Sequence, residues 1–173
     1  MIVVLTPEEL AVARDAGAKR LALYIARSMG GFKAGHQKRG TCNALGAVAE
    51  YALAKHYGPD VLNDWINTKA FGLEHWKIPC DVGVNLHVRA TDRPNGGLIV
   101  HPYDPDNGAF VLAICDPSGT GVRFVGWALG KALKDTDFWR DKGPGFGRPG
   151  CAAFCAPQSV LNPMDSLPKE YVR

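Results

Sequence analysis

The sequence predicts a single α+β domain. Three observations carry that expectation: the first third is punctuated as two helices, the middle switches to period-two runs between turn signals, and no linker or internal repeat divides the 173 residues. The order is helices, then a meander of strands, then a further helix and strand.

The first helix is marked at both ends. In "TPEELAVARDAGAKRLALYIARSMGG", Thr6 is placed as N-cap, Pro7 opens the first turn, Glu9 closes a capping box and Gly30-Gly31 is the stop, so a helix over 7–29 is expected. "FKAGHQKRG" reads as a basic, glycine-broken loop leading to Thr41, the cap of a second helix "CNALGAVAEYALAKHYG" that ends at Gly58. Residues 59–79 read as irregular, with short helical pieces around Trp65 and Trp76. The period then becomes two. "VNLHVRAT" alternates Val84, Leu86, Val88 and Ala90 with Asn85, His87, Arg89 and Thr91. Turns at "RPNGG", "DPDNG" and "DPSGTG" separate the strands "LIVHPY", "AFVLAIC" and "VRFVGWAL". A helix-like "GKALKDTDFWRDK", a glycine-rich "GPGFGRPG", a short strand "CAAFCA" and an irregular tail complete the chain.

Composition narrows the class. A hydrophobic content of 46% with 21% charged residues is ordinary for a globular fold, and no window approaches the roughly 18 apolar residues of a membrane span. The start has only a four-residue apolar run and no basic leader, so a soluble, cytoplasmic protein is expected. Five cysteines with no C-x-x-C indicate neither a disulfide framework nor a zinc ribbon, and read as reduced thiols. Cys151 and Cys155 would clip a metal only with a partner pair, and the sequence offers none.

Charge is unevenly spread. The net +3 hides a stretch between Asp15 and Glu50 that has no acid but holds Lys19, Arg20, Arg27, Lys33, Lys38 and Arg39, leaving the rest at −3. Such a footprint suits a polyanion, although a solvated helix and loop would look the same. Phosphate contacts are expected from Arg27, Lys33, Lys38 and Arg39, and would make nucleic-acid binding salt-dependent and largely independent of sequence.

Glu50 is the one charged residue between Ala44 and Ala54. A carboxylate on such an apolar helix is expected to be part-buried, and burial costs several kcal/mol unless a cation, metal or donors meet it. Either a functional site or an internal ion pair with an arginine would satisfy it. Asp81, His87 and Arg89 share strand parity, but one continuous strand would hold Asp81 and His87 about 20 Å apart. A three-residue reversal through Val82-Gly83-Val84 would instead bring Asp81 opposite Asn85 and onto the face of His87 and Arg89, with Gly83 supplying a positive φ. Glu50, Asp81 and His87 would then hold Mg²⁺ or Mn²⁺, the imidazole favouring Mn²⁺, while Arg89 would offset charge at a scissile phosphate. Arg89 stays protonated, so it stabilises charge without activating water.

The run "GAVAEYALAKHYG", then "DVG", then "HVRAT", followed by "LIV", "FVL" and "VGW", resembles the PD-(D/E)xK nuclease superfamily, especially its small phage-borne members. The resemblance covers roughly 42–130, with "APQSVLNPMDSL" also similar. It implies a core over about 42–157 with a mixed, mostly antiparallel sheet and a flanking C-terminal helix. The implied activity is divalent-metal-dependent hydrolysis of DNA phosphodiester bonds, in the host cytoplasm if phage-borne, with a homodimer if both strands are cut. Matched position by position, Glu50 and Asp81 fit the catalytic set, His87 stands where an acid belongs and Arg89 where the lysine belongs. The alternative is an inactive relative, a DNA- or protein-binding module aimed at host machinery, in which Arg89 pairs with Asp81 or Glu50 as a structural salt bridge. A third reading makes Cys42 a nucleophile, activated at the first turn of the second helix with His36 near in sequence.

Overall fold

Small residues let the two N-terminal helices approach closely. In the computed structural model, α1 (Pro7–Arg27) and α2 (His36–Tyr57) pack through Ala13, Ala16, Ala47, Ala49, Ala52 and Ala54, all buried. The structure describes residues 1–27, 36–70, 80–118, 120–141 and 152–172. The expected capping box forms: Thr6 N–H donates to Glu9 at 2.8 Å, and Glu9 N–H donates to Thr6 Oγ1 at 3.3 Å. Lys55 of α2 then reaches Glu9 at 2.7 Å and the Val4 carbonyl at 3.1 Å, tying the end of one helix to the start of the other. The second helix begins at His36, ahead of the expected cap at Thr41. Strong helix formers in "HQKR" carry it through Gly40, whose cost is only about 1 kcal/mol.

After α2 the chain makes α3 (Pro59–Asp64) and a π-helical turn (Trp65–Ala70), so the expected helical piece at Trp65 is present. The piece expected at Trp76 lies outside the described residues. Four strands form the main sheet: β1 (Ile2–Val4), β2 (Leu86–Thr91), β4 (Ala109–Cys115) and β5 (Gly121–Leu129). Their order is β1-β5-β4-β2, antiparallel except for the parallel pair β2/β4. A second sheet, β3-β7-β6, is built from Leu98–Val100, Ala153–Ala156 and Trp139–Arg140. The fold is therefore α+β, as the sequence indicates.

Two corrections concern the strands and the C-terminal helix. The segment expected as a simple meander splits instead, because "LIV" leaves the main sheet and pairs with β7. The expected C-terminal helix over 130–142 shrinks to one turn, α4 (Gly130–Leu133). Asp135 ends it by accepting the Asp137 N–H at 2.9 Å, a local side-chain bond that competes with helix continuation.

The layers follow from strand alternation. Leu86, Val88, Val111, Ala113, Val122 and Phe124 pack against α1 and α2, while Phe110, Leu112 and Ala128 pack with Leu98, Val100, Ala156 and Leu133 on the opposite side. Every residue of β4 is buried, which explains its unbroken apolar run.

A tight turn joins the chain's end to the site strand. Gly83 has φ +59°, and a Cβ there would lie 2.7 Å from the carbonyl oxygens of Tyr171 and Val172. Tyr171 accepts the Val84 N–H at 3.0 Å across that contact. Gly83→Ala is therefore expected to lower stability by about 1–3 kcal/mol in urea denaturation. It should also expose residues 168–172 to limited proteolysis, and unchanged cleavage there would contradict the docking.

Candidate functional site

Three elements converge on Glu50. Arg20 of α1 donates to it through both guanidinium nitrogens, at 2.8 Å to Oε1 and 2.7 Å to Oε2, and Trp65 Nε1 donates to Oε2 at 3.0 Å. The guanidinium also lies over the Trp65 ring, 5.8 Å from its centroid, and Tyr51 meets that ring edge-on at 5.5 Å. Burial pushes the Glu50 carboxyl above the usual range and the charge of Asp81 adds to this, while the bonds from Arg20 and Trp65 pull the other way. For Arg20, desolvation acts downward, and the charge and bonds of Glu50 more than offset it, leaving the guanidinium above its ordinary value. Of the two readings open for Glu50, the internal ion pair is the one present.

Asp81 lies at the open edge of the main sheet. The three-residue hairpin forms, shifted one position from the expected one: Val82 bridges Leu86, and the loop is Gly83-Val84-Asn85. Val82 and Leu86 are both fully buried in the helix-side core, so the shift keeps the apolar pair inward. As a consequence Asp81 stands beside His87 in the hairpin, whereas a loop over 82–84 would have set it opposite Asn85. Its Oδ2 accepts the Val88 N–H at 2.8 Å, satisfying a donor that edge strand β2 turns away from β4.

Arg89 bridges two aspartates. Its guanidinium lies 3.7 Å from Asp81 Oδ2 and 2.9 Å from Asp104 Oδ2, and stacks over Phe110 at 5.1 Å. Asp104 also accepts the His101 N–H at 2.9 Å, and its own N–H donates to the His101 carbonyl at 3.0 Å, closing a turn around Pro102 and Tyr103. Asn85 ties the hairpin to the same loop by donating to the Asn107 carbonyl at 2.9 Å.

His87 lies parallel to Phe110, with centroids 4.6 Å apart, and is buried. Gly108 closes its other side: a Cβ there would stand 2.7 Å from His87 Cδ2, so a side chain would displace the ring. His87 and Phe110 share the face opposite the helices, whereas Glu50 belongs to the helix side. The structure thus brings Asp81 together with His87 and Arg89, and leaves Glu50 in a separate cluster that Asp81 influences only through its charge.

These placements bear on the expected metal. Glu50 is taken up by Arg20 and Trp65, His87 is packed as an aromatic slab, and a guanidinium already stands between the two aspartates. Among the described residues no group of three or more His, Cys, Asp or Glu side chains is disposed to hold a metal ion. As placed, Glu50, Asp81 and His87 do not fit one.

The remaining candidates divide cleanly. Lys33 lies outside the described residues, as do the side chains of Arg27, Lys38 and Arg39, whose backbones belong to α1 and α2. With α2 starting at His36, Cys42 is beyond the first turn, where the helix dipole acts most strongly. Cys151 is also outside the described residues, and burial pushes the Cys115 thiol up to about 11. Asp104 was not singled out from the sequence, where "DPDNG" read only as a turn. The available signal was the need of Arg89 for an acid within reach. Comparison with known proteins finds no matching family model, no matching curated protein and no matching solved structure.

The two arginines should differ in weight. Arg20→Met leaves a buried carboxylate unpaired and is expected to cost about 3–5 kcal/mol in urea denaturation, most of it regained in Arg20→Met/Glu50→Leu. In Arg20→Met the folded pKa of Glu50 rises further above the ordinary carboxylate value, so stability falls as pH rises through it, and the deficit should shrink as pH is lowered toward that ordinary value. Arg89 is 29% exposed and faces a 32% exposed Asp81 as well as Asp104, which is 11% exposed, so Arg89→Met should cost about 1–2 kcal/mol, less than Arg20→Met.

Proposed function

We infer that the protein is a nucleic-acid-binding module, with DNA as the first candidate, that keeps a nuclease-like layout without its metal chemistry. One observation carries this reading: each carboxylate of the nuclease-like set is met by a guanidinium, Arg20 on Glu50 and Arg89 on Asp81. Both arginines stay protonated at any working pH, so neither can take a proton from water. The nuclease resemblance of the sequence around "DVG" and "HVRAT" supplies the layout, and the acid-free stretch 16–49 supplies the charge that would track phosphates.

The reading places phosphate contact on the basic segment. Glu50, Asp81 and Asp104 against Arg20 and Arg89 leave one formal negative charge, so the carboxylate cluster does not itself attract a phosphate. Arg89 is held in position to fix the hairpin and the 101–107 loop, and any role toward nucleic acid would come through the surface it shapes.

The test is gel retardation and plasmid nicking on the purified protein with Mg²⁺, Mn²⁺ or EDTA, beside Asp81→Ala and a Lys33→Ala/Lys38→Ala/Arg39→Ala variant. Retardation that weakens as salt rises, is lost in the triple variant and comes without cleavage in any metal is the expected result. Cleavage that requires Mn²⁺ and vanishes in Asp81→Ala would overturn it in favour of a metal-dependent nuclease.

A further inference from the structure

Tyr103 is the most exposed large hydrophobic side chain among the described residues, at 82%, and it is held flat. Its ring lies parallel to His101, with an interplanar angle of 7° and centroids 5.1 Å apart. The turn beneath is closed from both ends, by the Asp104 N–H on the His101 carbonyl and by the His101 N–H on the Asp104 carboxylate, each at about 2.9–3.0 Å. That same carboxylate is held by Arg89, so the ring pair is anchored to β2 through an ion pair. Packing within the core does not explain a tyrosine with four-fifths of its surface in water.

Resting on the nucleic-acid reading above, we propose that the Tyr103–His101 pair is a stacking platform for one unpaired nucleobase, which makes single-stranded rather than duplex nucleic acid the preferred ligand. His101 lies parallel to the tyrosine and offset from it, and the ring protrudes from a turn with its faces largely open, which suits a flat, neutral π-system. A base inside a duplex is already stacked on both faces, so only an unpaired or extruded base can use such a ring. The local charge is small: Asp106 is paired with Lys134 at 2.6 Å, and Asp104 shares Arg89, 2.9 Å away, with Asp81, so one formal negative charge remains near the ring. Base stacking of this kind tolerates any sequence, because every base has a π-face.

The experiment is fluorescence anisotropy of a labelled oligothymidine and of a duplex of equal length, with the wild type, Tyr103→Ala and Tyr103→Phe. The expected result is tighter binding of the single strand, weakened about tenfold by Tyr103→Ala, retained by Tyr103→Phe, with duplex binding unmoved. Tyr103 lies outside the core, so Tyr103→Ala should fold, and its circular dichroism and urea midpoint check this. Unchanged single-strand affinity in Tyr103→Ala, or equal losses on both ligands, would overturn the platform while leaving nucleic-acid binding in place. Absence of binding to either ligand by the wild type would overturn both readings.

Discussion

The fold depends on how the chain answers one unfavourable placement, a carboxylate in the middle of an apolar helix. Leaving Glu50 buried without partners would cost several kcal/mol, and the structure meets that cost with three hydrogen bonds drawn from two other elements. Alanine-rich faces bring α1 and α2 close but specify little about their relative shift, since one alanine packs much like another. A bidentate guanidinium does specify it. Arg20 must lie opposite Glu50 within a few tenths of an ångström, which sets the register of the helix pair. Trp65 extends the constraint to the π-helical turn, because its indole N–H has to reach the same oxygen.

The second cluster is built on the same logic at a wetter place. Asp81 serves the edge of β2 as a hydrogen-bond acceptor and serves Arg89 as a counter-charge, and Arg89 passes the connection on to Asp104 and the 101–107 loop. Side-chain exposures of 29% and 32% for Arg89 and Asp81 mean that water screens this pair, so its value lies in positioning rather than in stability. Phe110 contributes to both halves of the arrangement, stacking on His87 and underlying the guanidinium. The hairpin, the edge strand and the exposed turn are therefore mechanically one unit.

Much of this was legible because it is local. The capping box at Thr6 and Glu9, the reversal at Gly83, the buried status of Glu50 and the strand at Leu86–Thr91 each follow from a few neighbouring residues. What escaped is non-local. Alternation in "VNLHVRAT" and an apolar run in "AFVLAIC" are the same whether two strands lie parallel or antiparallel, so the β2/β4 pairing could not be read from them. The three-residue strand Ile2–Val4 owes its state to a partner about 120 residues away and carries too few residues for a period of its own, whereas the strand at Leu98–Val100 was expected and only its pairing, with residues about 56 positions on, was out of reach. Arg20 and Asp104 stood in plain view, one as part of a basic run and the other as part of a turn. Neither context reveals which buried or half-buried charge it answers.

Arginine at 89 is what separates this arrangement from a lysine-bearing one. A lysine is a compact point charge that loses its proton readily on desolvation, and so can serve as acid, base or metal-site neighbour. The planar guanidinium instead spans two aspartates and lies over the Phe110 ring, three demands that an ammonium could not meet together. Choosing it trades proton transfer for geometry. A side chain that cannot change its charge, fixed between two acids that share it, is suited to holding a surface in one shape. For the proposed binding role, that shape ends at the ring of Tyr103, which is presented to solvent by the same carboxylate that Arg89 secures.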